Sequence, residues 1–275
     1  MRVFPFARCP PQVRGDCLRC PMRGRAVVYG PFRSRRRGLS IGVNLFIGAK
    51  VCSFDCVYCF RGATAVKRRR PYDPGLPTIE MLEEGLRRAL GEVGDVEAVD
   101  FSGSGEPTLH SRLGEFIRAA RRVVGEYAPG ASLGIFTNSS TLGLRRVVEA
   151  LKELDQVEAK LDTLDERKFQ VINRPVEGIR VGDILEALKS FRREYGGTLA
   201  VQVMLVSYGD CLNYTLEDAE RMAEALTAVD PDEVHLYTAY RAPRLPSVAR
   251  APPEEIVEFA RVLRSSGLRV EVYPE

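Results

Sequence analysis

From about residue 40 onward, the chain alternates short apolar, β-branched runs with longer segments whose apolar residues recur at helical spacing. The strand-like runs cover residues 41–47, 96–101, 132–137, 156–161, 199–206, 233–238 and 268–272. Helices are predicted to begin after Thr78 and Ser111, near Thr141, Arg180 and Thr215, and at Pro252-Pro253. Six successive strand–helix units predict an α/β fold with a parallel sheet, which is either an open or closed barrel or a doubly wound sheet.

Two segments interrupt this alternation. Residues 1–39 are rich in Pro, Gly, Arg and Cys and have no sustained period, which predicts an irregular N-terminal arm or a small metal-stapled cap. Residues 40–275 are then expected to form the core domain. The connection 48–77 is much longer than an ordinary strand-to-helix loop, and such loops in compact domains are usually functional.

The charge of the chain is unevenly distributed. Residues 1–75 hold 16 Lys and Arg against 3 Asp and Glu, although the net charge of the whole chain is only +3. A basic front segment is typical of proteins that bind a polyanion such as RNA. A solvated basic face on a thermostable protein is the alternative, and the sequence leaves both interpretations open.

Neither a membrane span nor a secretory signal is expected. No apolar run approaches the roughly 18 residues that cross a bilayer, and residues 1–14 contain Arg and Pro where a signal needs an unbroken apolar segment. The chain has seven cysteines, and three of them fall within eight residues, which favours metal ligation in a reducing compartment over disulfides. We therefore expect a cytoplasmic protein.

The long connection carries a C-x3-C-x2-C arrangement formed by Cys52, Cys56 and Cys59. Soft thiolate ligands favour Zn, Cu(I) or iron–sulfur clusters. A structural zinc site needs a fourth ligand nearby, but the only histidines, His110 and His235, lie far along the chain. Three local ligands without a fourth describe a 4Fe–4S cluster with one iron open to a small molecule.

This spacing, with Tyr58 before the last cysteine, resembles the signature C-x3-C-x-aromatic-C of the radical S-adenosylmethionine (SAM) enzymes. The resemblance implies a partial (β/α)6 parallel barrel in which Cys52, Cys56 and Cys59 bind a catalytic 4Fe–4S cluster. It further implies that SAM binds the open iron and is cleaved to a 5′-deoxyadenosyl radical, which abstracts hydrogen from a substrate. Tyr58 is expected near the adenine, and a ferredoxin or flavodoxin is expected to donate the electron.

A second motif follows the second strand, where Ser102-Gly-Ser-Gly-Glu-Pro-Thr108 looks like the glycine–glutamate motif of the same family. Glycines at a strand end let a backbone approach a ligand closely. The resemblance implies that Gly103, Gly105 and Glu106 bind the methionyl end of SAM, with Glu106 available for the ammonium. On its own the motif is a weak signal, because short glycine patterns also occur in ordinary turns.

Further polar residues follow later strands, and the carboxyl ends of parallel barrel strands build one ligand site. We assign Asn138, Lys160 and Asp162 to SAM binding and Arg241, together with the basic arm, to the substrate. Two alternatives stay open: Asn138 is a turn or cap residue, and Lys160 forms a structural ion pair with Asp162.

Three N-terminal cysteines, Cys9, Cys17 and Cys20, also need an explanation. A C-x2-C pair is a good chelate, so we predict a second metal site there, either an iron–sulfur cluster or zinc. Cys211 follows the fifth strand and is a candidate fourth ligand. The alternative for Cys211 is an ordinary buried cysteine.

The segments 29–44, 105–110 and 160–175 look like one branch of the superfamily, the iron–sulfur oxidoreductases related to wyosine-tRNA synthases. That resemblance makes tRNA a candidate substrate. The true synthases carry a second cluster on widely and evenly spaced N-terminal cysteines. The spacing of Cys9, Cys17 and Cys20 differs from that pattern, which counts against both that cluster and the synthases' substrate in this chain. A different class of function, an electron-transfer or cluster-carrier protein without SAM turnover, is the competing hypothesis.

Overall fold

The computed structural model describes residues 2–9 and 24–273. The strands are β1 (Phe4–Arg8), β2 (Ala26–Ser34), β3 (Gly38–Val43), β4 (Val51–Cys52), β5 (Val66–Lys67), β6 (Ala98–Phe101), β7 (Ser132–Thr137), β8 (Gln156–Lys160), β9 (Thr198–Tyr208), β10 (Cys211–Leu212), β11 (Glu233–Thr238), β12 (Val248–Arg250) and β13 (Val270–Tyr273). The helices are α1 (Ile79–Val93), α2 (Leu113–Tyr127), α3 (Arg145–Leu151), α4 (Glu166–Ile172), α5 (Val181–Glu194), α6 (Leu216–Val229) and α7 (Pro253–Ser265), with a 3-10 turn at Pro107–Leu109.

Seven of these strands form a continuous parallel sheet in the order β3-β6-β7-β8-β9-β11-β13, and helices cover each crossover. The antiparallel strand β2 extends this sheet beyond β3, and β1 lies outside β2. Among the described strands, no pairing joins β13 back to the other end of the sheet. The predicted α/β fold with a partial parallel barrel is therefore confirmed.

Alternation along the strands separates an apolar face from a polar one. In β11, Val234 and Leu236 are buried in the hydrophobic core, while the intervening His235 contacts the carboxylate of Glu158 on β8. Gln202 on β9 donates to the same carboxylate at 2.6 Å. Because side chains alternate across a sheet, the helices pack on one face and the other face forms a polar barrel interior.

Several helix boundaries agree with the predictions. The Thr78 hydroxyl accepts from the backbone N–H of Met81 at 3.3 Å, Thr215 forms a reciprocal capping box with Asp218, and α7 begins at Pro253. The predicted start of α2 after Ser111 is wrong. The N-cap is Arg112, one residue later, and no side chain caps this helix. Ser111 lies outside the helix, where its N–H donates to the carbonyl of Tyr72 at 3.0 Å.

The predicted start of α3 near Thr141 also differs from the structure. The helix begins only at Arg145, since the side chain of Thr141 hydrogen-bonds to Thr108 and its carbonyl accepts from Leu144 in a preceding turn.

The N-terminal segment is more regular than predicted, because β1 and β2 lie within residues 1–39 and β3 begins at Gly38. Gly30-Pro31 stand in the middle of β2, and the pairing of β2 with β3 shifts its register between Tyr29 and Phe32. The Gly-Pro pair hides the strand from a pattern of period two. Residues 10–23 of the predicted arm lie outside the described residues.

Two arginines of the turn between β2 and β3 lie in the barrel interior. Arg36 Nε lies 2.5 Å from Glu158 Oε2, and Arg37 Nη2 lies 3.0 Å from Asp100 Oδ1. All four side chains are largely buried. We call this group, Arg36, Arg37, Asp100 and Glu158, the arginine plug.

None of the helices that the structure describes combines the length and the apolar character needed to cross a membrane.

Candidate functional site

The three cysteines of the signature lie on the long connection between β3 and α1. The short parallel pair of β4 and β5 closes this connection into a loop, which we call the cluster loop, residues 48–77. Cys52 ends β4, and successive backbone bonds run from Cys59 N to Cys56 O at 3.1 Å and from Gly62 N to Cys59 O at 2.9 Å. These tight turns hold the second and third cysteines on one short stretch of chain.

Each cysteine sulfur faces a different N–H donor. Lys50 Nζ lies 3.1 Å from Cys59 Sγ, Asn138 Nδ2 lies 3.5 Å from Cys52 Sγ, and Asn173 Nδ2 lies 3.6 Å from Cys56 Sγ. The donors come from three places: the start of the cluster loop, the end of β7 and the C-terminus of α4. Donors directed at sulfur are the usual surroundings of thiolates that bind iron.

Electrostatics make the site unfavourable for free thiolates. Burial and the neighbouring Cys59 raise the pKa of the Cys56 thiol to about 11. Burial, with help from Glu106 and Cys56, raises the pKa of Cys52 still further. Burial opposes the charge of Lys50, yet the three cysteines together raise the pKa of that ammonium above its ordinary value. All three sulfurs therefore act on one ammonium, and a cationic metal group would stabilise their thiolate forms.

The donor set fits an iron–sulfur cluster. Across residues 2–9 and 24–273, no three His, Cys, Asp or Glu side chains are placed to hold a single metal ion. An iron–sulfur cluster does not require that arrangement, because its cysteines ligate separate irons. Cys52, Cys56 and Cys59 can thus supply three thiolates, each with its own hydrogen-bond donor.

The glycine motif packs directly against the cluster loop. Val51 N donates to Ser104 O at 3.1 Å, and Glu106 N donates to Val51 O at 2.8 Å. A side chain at Gly105 would place its Cβ 1.6 Å from Val51 O, and Gly103 lies against Asn44 in the same way. Both glycines have positive φ angles, +141° at Gly103 and +127° at Gly105, which only glycine adopts readily. This segment, residues 102–106, is the glycine loop.

Glu106 is buried and accepts four hydrogen bonds from protein donors. Its Oε1 accepts from Thr108 N at 3.1 Å, Thr108 Oγ1 at 2.6 Å and Thr137 Oγ1 at 2.8 Å, and its Oε2 accepts from Asn138 N at 2.6 Å. A carboxylate has about four acceptor positions, two on each oxygen, so Oε2 keeps one position open. Burial raises the pKa of Glu106 although all four donors lower it. The residue ties the glycine loop to the end of β7.

Tyr58, Lys160 and Asp162 belong to a second buried network. The Tyr58 hydroxyl donates to Asp162, and Asn173 Nδ2 donates to the same carboxylate at 2.6 Å. Lys160 Nζ lies 3.4 Å from Asp162 Oδ1 and 5.2 Å from the centre of the Tyr58 ring. The network couples the cluster loop to the ends of β8 and α4, and it includes the predicted ion pair of Lys160 and Asp162.

Asn138 connects the end of β7 to the cluster loop and to Glu106. It follows β7, and its side chain contacts both Cys52 Sγ and Ser53 Oγ, the latter at 2.8 Å. Its backbone N–H is the donor to Glu106 described above. Its side-chain oxygen also accepts from Ser140 N at 3.1 Å, as in an Asx turn, so Asn138 combines the predicted turn role with contacts to the cluster loop.

Arg241 lies at the exposed edge of the site. Its guanidinium stacks over Phe60, the residue after Cys59, at 4.4 Å from the ring centre. The nearby Arg244 donates to the carbonyl of Asp55 at 3.1 Å and to its carboxylate at 2.7 Å. The connection after β11 is therefore clamped onto the cluster loop.

The predicted second metal site falls largely outside the described residues, since Cys17 and Cys20 are not among them. Cys9 follows β1, and its N–H donates to the carbonyl of Gly30. Cys211 lies in β10, where the charged groups around its thiol are Lys168, Arg167, Asp165 and Asp218. Among the described residues, no other cysteine belongs to that set of charged groups.

Three residues of the site were not predicted from the sequence: Lys50, Asn173 and Arg244. Asn173 stands in the segment 160–175 that carries the family resemblance, so its position was marked but its role was not. Lys50 precedes the first cysteine by two residues, which is a local signal. Arg244 has no local signal, because its partner Asp55 lies 189 residues earlier.

Comparison with known proteins agrees with this geometry. The sequence profile of the Radical SAM superfamily matches residues 46–226. The chain is 35% identical over 211 residues to the UPF0026 protein slr1464 of Synechocystis, covering 76% of this chain and 74% of the relative. It is 32% identical to the UPF0026 protein MJ1312 of Methanocaldococcus jannaschii, covering 79% of this chain and 64% of the relative.

A radical SAM methyltransferase from Sphaerobacter thermophilus has a similar fold, with a TM-score of 0.62 and 18% identity. The match covers 86% of this chain and 66% of that structure, so the chain spans about two thirds of its length. Because the profile match spans most of the chain and includes the cluster loop, this protein belongs to the radical SAM superfamily.

Proposed function

We propose that this protein reductively cleaves SAM at a 4Fe–4S cluster bound by Cys52, Cys56 and Cys59. The observation that carries the proposal is the contact between the two loops, in which Val51 bonds to Ser104 and Glu106 immediately before Cys52. It places three soft ligands beside a backbone that only glycine can form. These are the two kinds of group that a cluster and the amino acid end of SAM require.

When bound, the cluster would supply the electron that cleaves the sulfonium of SAM and releases a 5′-deoxyadenosyl radical for hydrogen abstraction. Gly103 and Gly105 leave backbone polar groups accessible to the methionyl end. Asn138, Lys160 and Asp162 are also assigned to SAM, and Tyr58 is assigned to the adenine side. A ferredoxin or flavodoxin is the class of partner that would donate the electron.

The proposed parts of Glu106 are to position the glycine loop and to offer an acceptor to the methionyl ammonium. Three protein donors bond to Oε1 and one, Asn138 N, bonds to Oε2, so Oε2 keeps an acceptor position. The backbone N–H groups of Ser104 and Glu106 already donate to Asn44 and Val51, so we assign the backbone contact with SAM to Gly103 and Gly105.

Reduction of the purified protein with dithionite in the presence of SAM tests this proposal. We expect formation of 5′-deoxyadenosine that depends on both dithionite and SAM. The electron-transfer or cluster-carrier alternative predicts an iron–sulfur protein that forms none. A protein that binds iron and sulfide but leaves SAM intact under these conditions would overturn the proposal.

For the substrate, we propose that Arg241 and the basic front segment face an anionic molecule, with tRNA as the candidate. Support comes from Arg241 itself, which is exposed at the edge of the cluster loop and stacked on Phe60. Binding of bulk tRNA is expected to weaken steeply between low and physiological salt, because contacts with phosphates release counterions. Absent or salt-independent binding would leave a protein or small-molecule substrate.

We also propose a second metal on Cys9, Cys17 and Cys20, either an iron–sulfur cluster or zinc. The chelating spacing of the three cysteines supports it. After anaerobic reconstitution, metal in excess of about four irons per chain is expected if this site exists. A count of about four irons without zinc would remove it, and a Cys211→Ser variant with an unchanged excess would exclude Cys211 as its ligand.

A further inference from the structure

Lys50 differs from the other donors around the cysteines because it carries a full positive charge. Its ammonium lies 3.1 Å from Cys59 Sγ, whereas Cys52 and Cys56 receive N–H groups of the neutral side chains of Asn138 and Asn173. A hydrogen bond from a charged donor is roughly twice as strong as a neutral one. The three sulfurs are therefore held in unequal electrostatic surroundings.

The structure fixes this ammonium in place. Lys50 Nζ donates a second hydrogen bond to the carbonyl of Gly62 at 2.8 Å. The Lys50 carbonyl accepts from Ala65 N at 3.1 Å and Val66 N at 3.0 Å, which anchors its backbone beside β5. Both ends of the residue are thus bound to the cluster loop, so the charge cannot move away from Cys59.

Within residues 2–9 and 24–273, no carboxylate neutralises this charge. Lys160, the other lysine near the site, pairs with Asp162, but none of the carboxylates in the described ranges lies within ion-pair distance of Lys50. Its contacts are a thiol sulfur and a carbonyl oxygen. A half-buried positive charge without an acidic partner is favourable only if a negative group lies beside it.

We infer that Lys50 sets the reduction potential of the cluster by holding a fixed positive charge against the Cys59 ligand. The inference rests on the proposed function. Three thiolates on a [4Fe–4S]²⁺ core carry a net charge of −1, and one electron from an external reductant changes it to −2. A neighbouring cation stabilises the more negative state, so Lys50 makes the cluster easier to reduce.

The test is a redox titration of the reconstituted holoprotein, followed by electron paramagnetic resonance, on the wild type and on Lys50→Gln. Glutamine retains an N–H donor but removes the charge. We expect the equilibrium between the reduced and oxidised cluster to shift about tenfold toward the oxidised form, which lowers the midpoint by about 59 mV. Lys50→Met, measured in parallel, removes the charge without adding a polar group, and the same direction is expected.

Two controls separate charge from structure. Lys50→Arg retains the charge and should change the equilibrium less than about threefold. Lys67→Gln removes a charge from the same loop, but Lys67 is half exposed and lies 3.8 Å from Asp55, so water screens it and we expect almost no shift.

The outcomes are distinguishable. A wild type that assembles no reducible cluster contradicts the proposed function, whatever the variants do. A wild-type cluster whose midpoint is unchanged in Lys50→Gln and Lys50→Met contradicts the role of Lys50 alone. Loss of the cluster from both of these variants, with retention in Lys50→Arg, also contradicts it, because the charge would then serve assembly rather than the potential.

Discussion

The arginine plug is buried and polar, and so are Cys52 and Cys56 of the cluster loop, but the charges of the two regions are balanced differently. In the plug each arginine lies against a carboxylate, Arg36 against Glu158 and Arg37 against Asp100. In the cluster loop, three N–H donors point at three cysteine sulfurs, and burial raises the pKa of the Cys52 and Cys56 thiols. A region whose charges are already paired serves the fold, whereas one with donors gathered around metal-binding atoms is suited to hold another group.

We first predict that the cluster loop can lose one cysteine ligand while the protein keeps its fold. Cys56→Ala should reduce 5′-deoxyadenosine formation by about 1000-fold or more, since three ligands act as one unit. The free energy of unfolding of the metal-free protein should fall by only about 1 kcal/mol, because one small buried side chain is shortened. Iron content, product formation and urea denaturation measure the three quantities. Retention of activity, or unfolding of the metal-free variant, would contradict the claim that the cluster loop serves binding rather than the fold.

A substitution in the arginine plug should instead reduce the stability of the protein and leave iron binding intact. Asp100→Ala leaves Arg37 buried without its counter-charge, which costs about 3–5 kcal/mol of unfolding free energy. Burial raises the pKa of Asp100 even beside Arg37, which shows how little solvent reaches this pair. Urea denaturation of the metal-free protein measures the loss, and iron binding per folded chain should remain. The double variant Arg37→Met/Asp100→Leu should be less destabilised than Asp100→Ala, and an equal or larger loss would contradict the pairing argument.

His110 is a third kind of buried polar group, with one ring nitrogen satisfied. Its Nδ1 accepts from the N–H of Arg112 at 3.2 Å, and within the described ranges Nε2 has no hydrogen-bond partner. Burial lowers the pKa of His110 from 6.5 to about 4. Between these values the unfolded chain binds a proton that the folded chain does not, so stability should fall as pH drops from 6.5 to 4, by at most about 3 kcal/mol.

Unfolding curves of the wild type and His110→Asn between pH 4 and pH 7 measure this effect. Asparagine retains an acceptor but does not titrate, so the variant should lose much of the pH dependence even if it is less stable overall. An identical pH dependence in the two proteins would show that other groups cause it.

The smallest predicted effect is at the contact between the two loops. Gly105→Ala places a Cβ 1.6 Å from Val51 O at a positive φ angle, so the contact must open; the strain alone should cost about 1–3 kcal/mol, and SAM affinity should fall as well. Gly75→Ala is the matched control, because Gly75 also has a positive φ but nothing within 4 Å of its Cβ position. Equal losses of stability and unaltered SAM binding, measured by equilibrium dialysis, would show that the contact is unimportant.

Much of the fold could be predicted from the sequence because it depends on local patterns. The caps at Thr78 and Thr215 and the strands at residues 132–137 and 233–238 were found from residues next to one another. Ser111 was wrongly predicted as a cap: it lies one residue before the N-cap and is bonded to Tyr72, a tertiary contact that no window around residue 111 contains.

The candidate site, too, could be predicted only where it depends on local sequence. The three cysteines and the glycine loop were recognised by spacing, but their surroundings were not. Asn173 reaches Cys56 across 117 residues, and Arg244 reaches Asp55 across 189 residues. Contacts of this range are set by the packing of the barrel, so a single sequence without aligned relatives does not show them.

The central claim is that the cluster held by Cys52, Cys56 and Cys59 keeps one iron open for SAM. The most direct measurement is the electron paramagnetic resonance spectrum of the dithionite-reduced holoprotein before and after SAM is added. We predict a 4Fe–4S signal whose g-values change on addition of SAM. A signal that is identical with and without SAM, from a cluster already saturated by protein ligands, would contradict it.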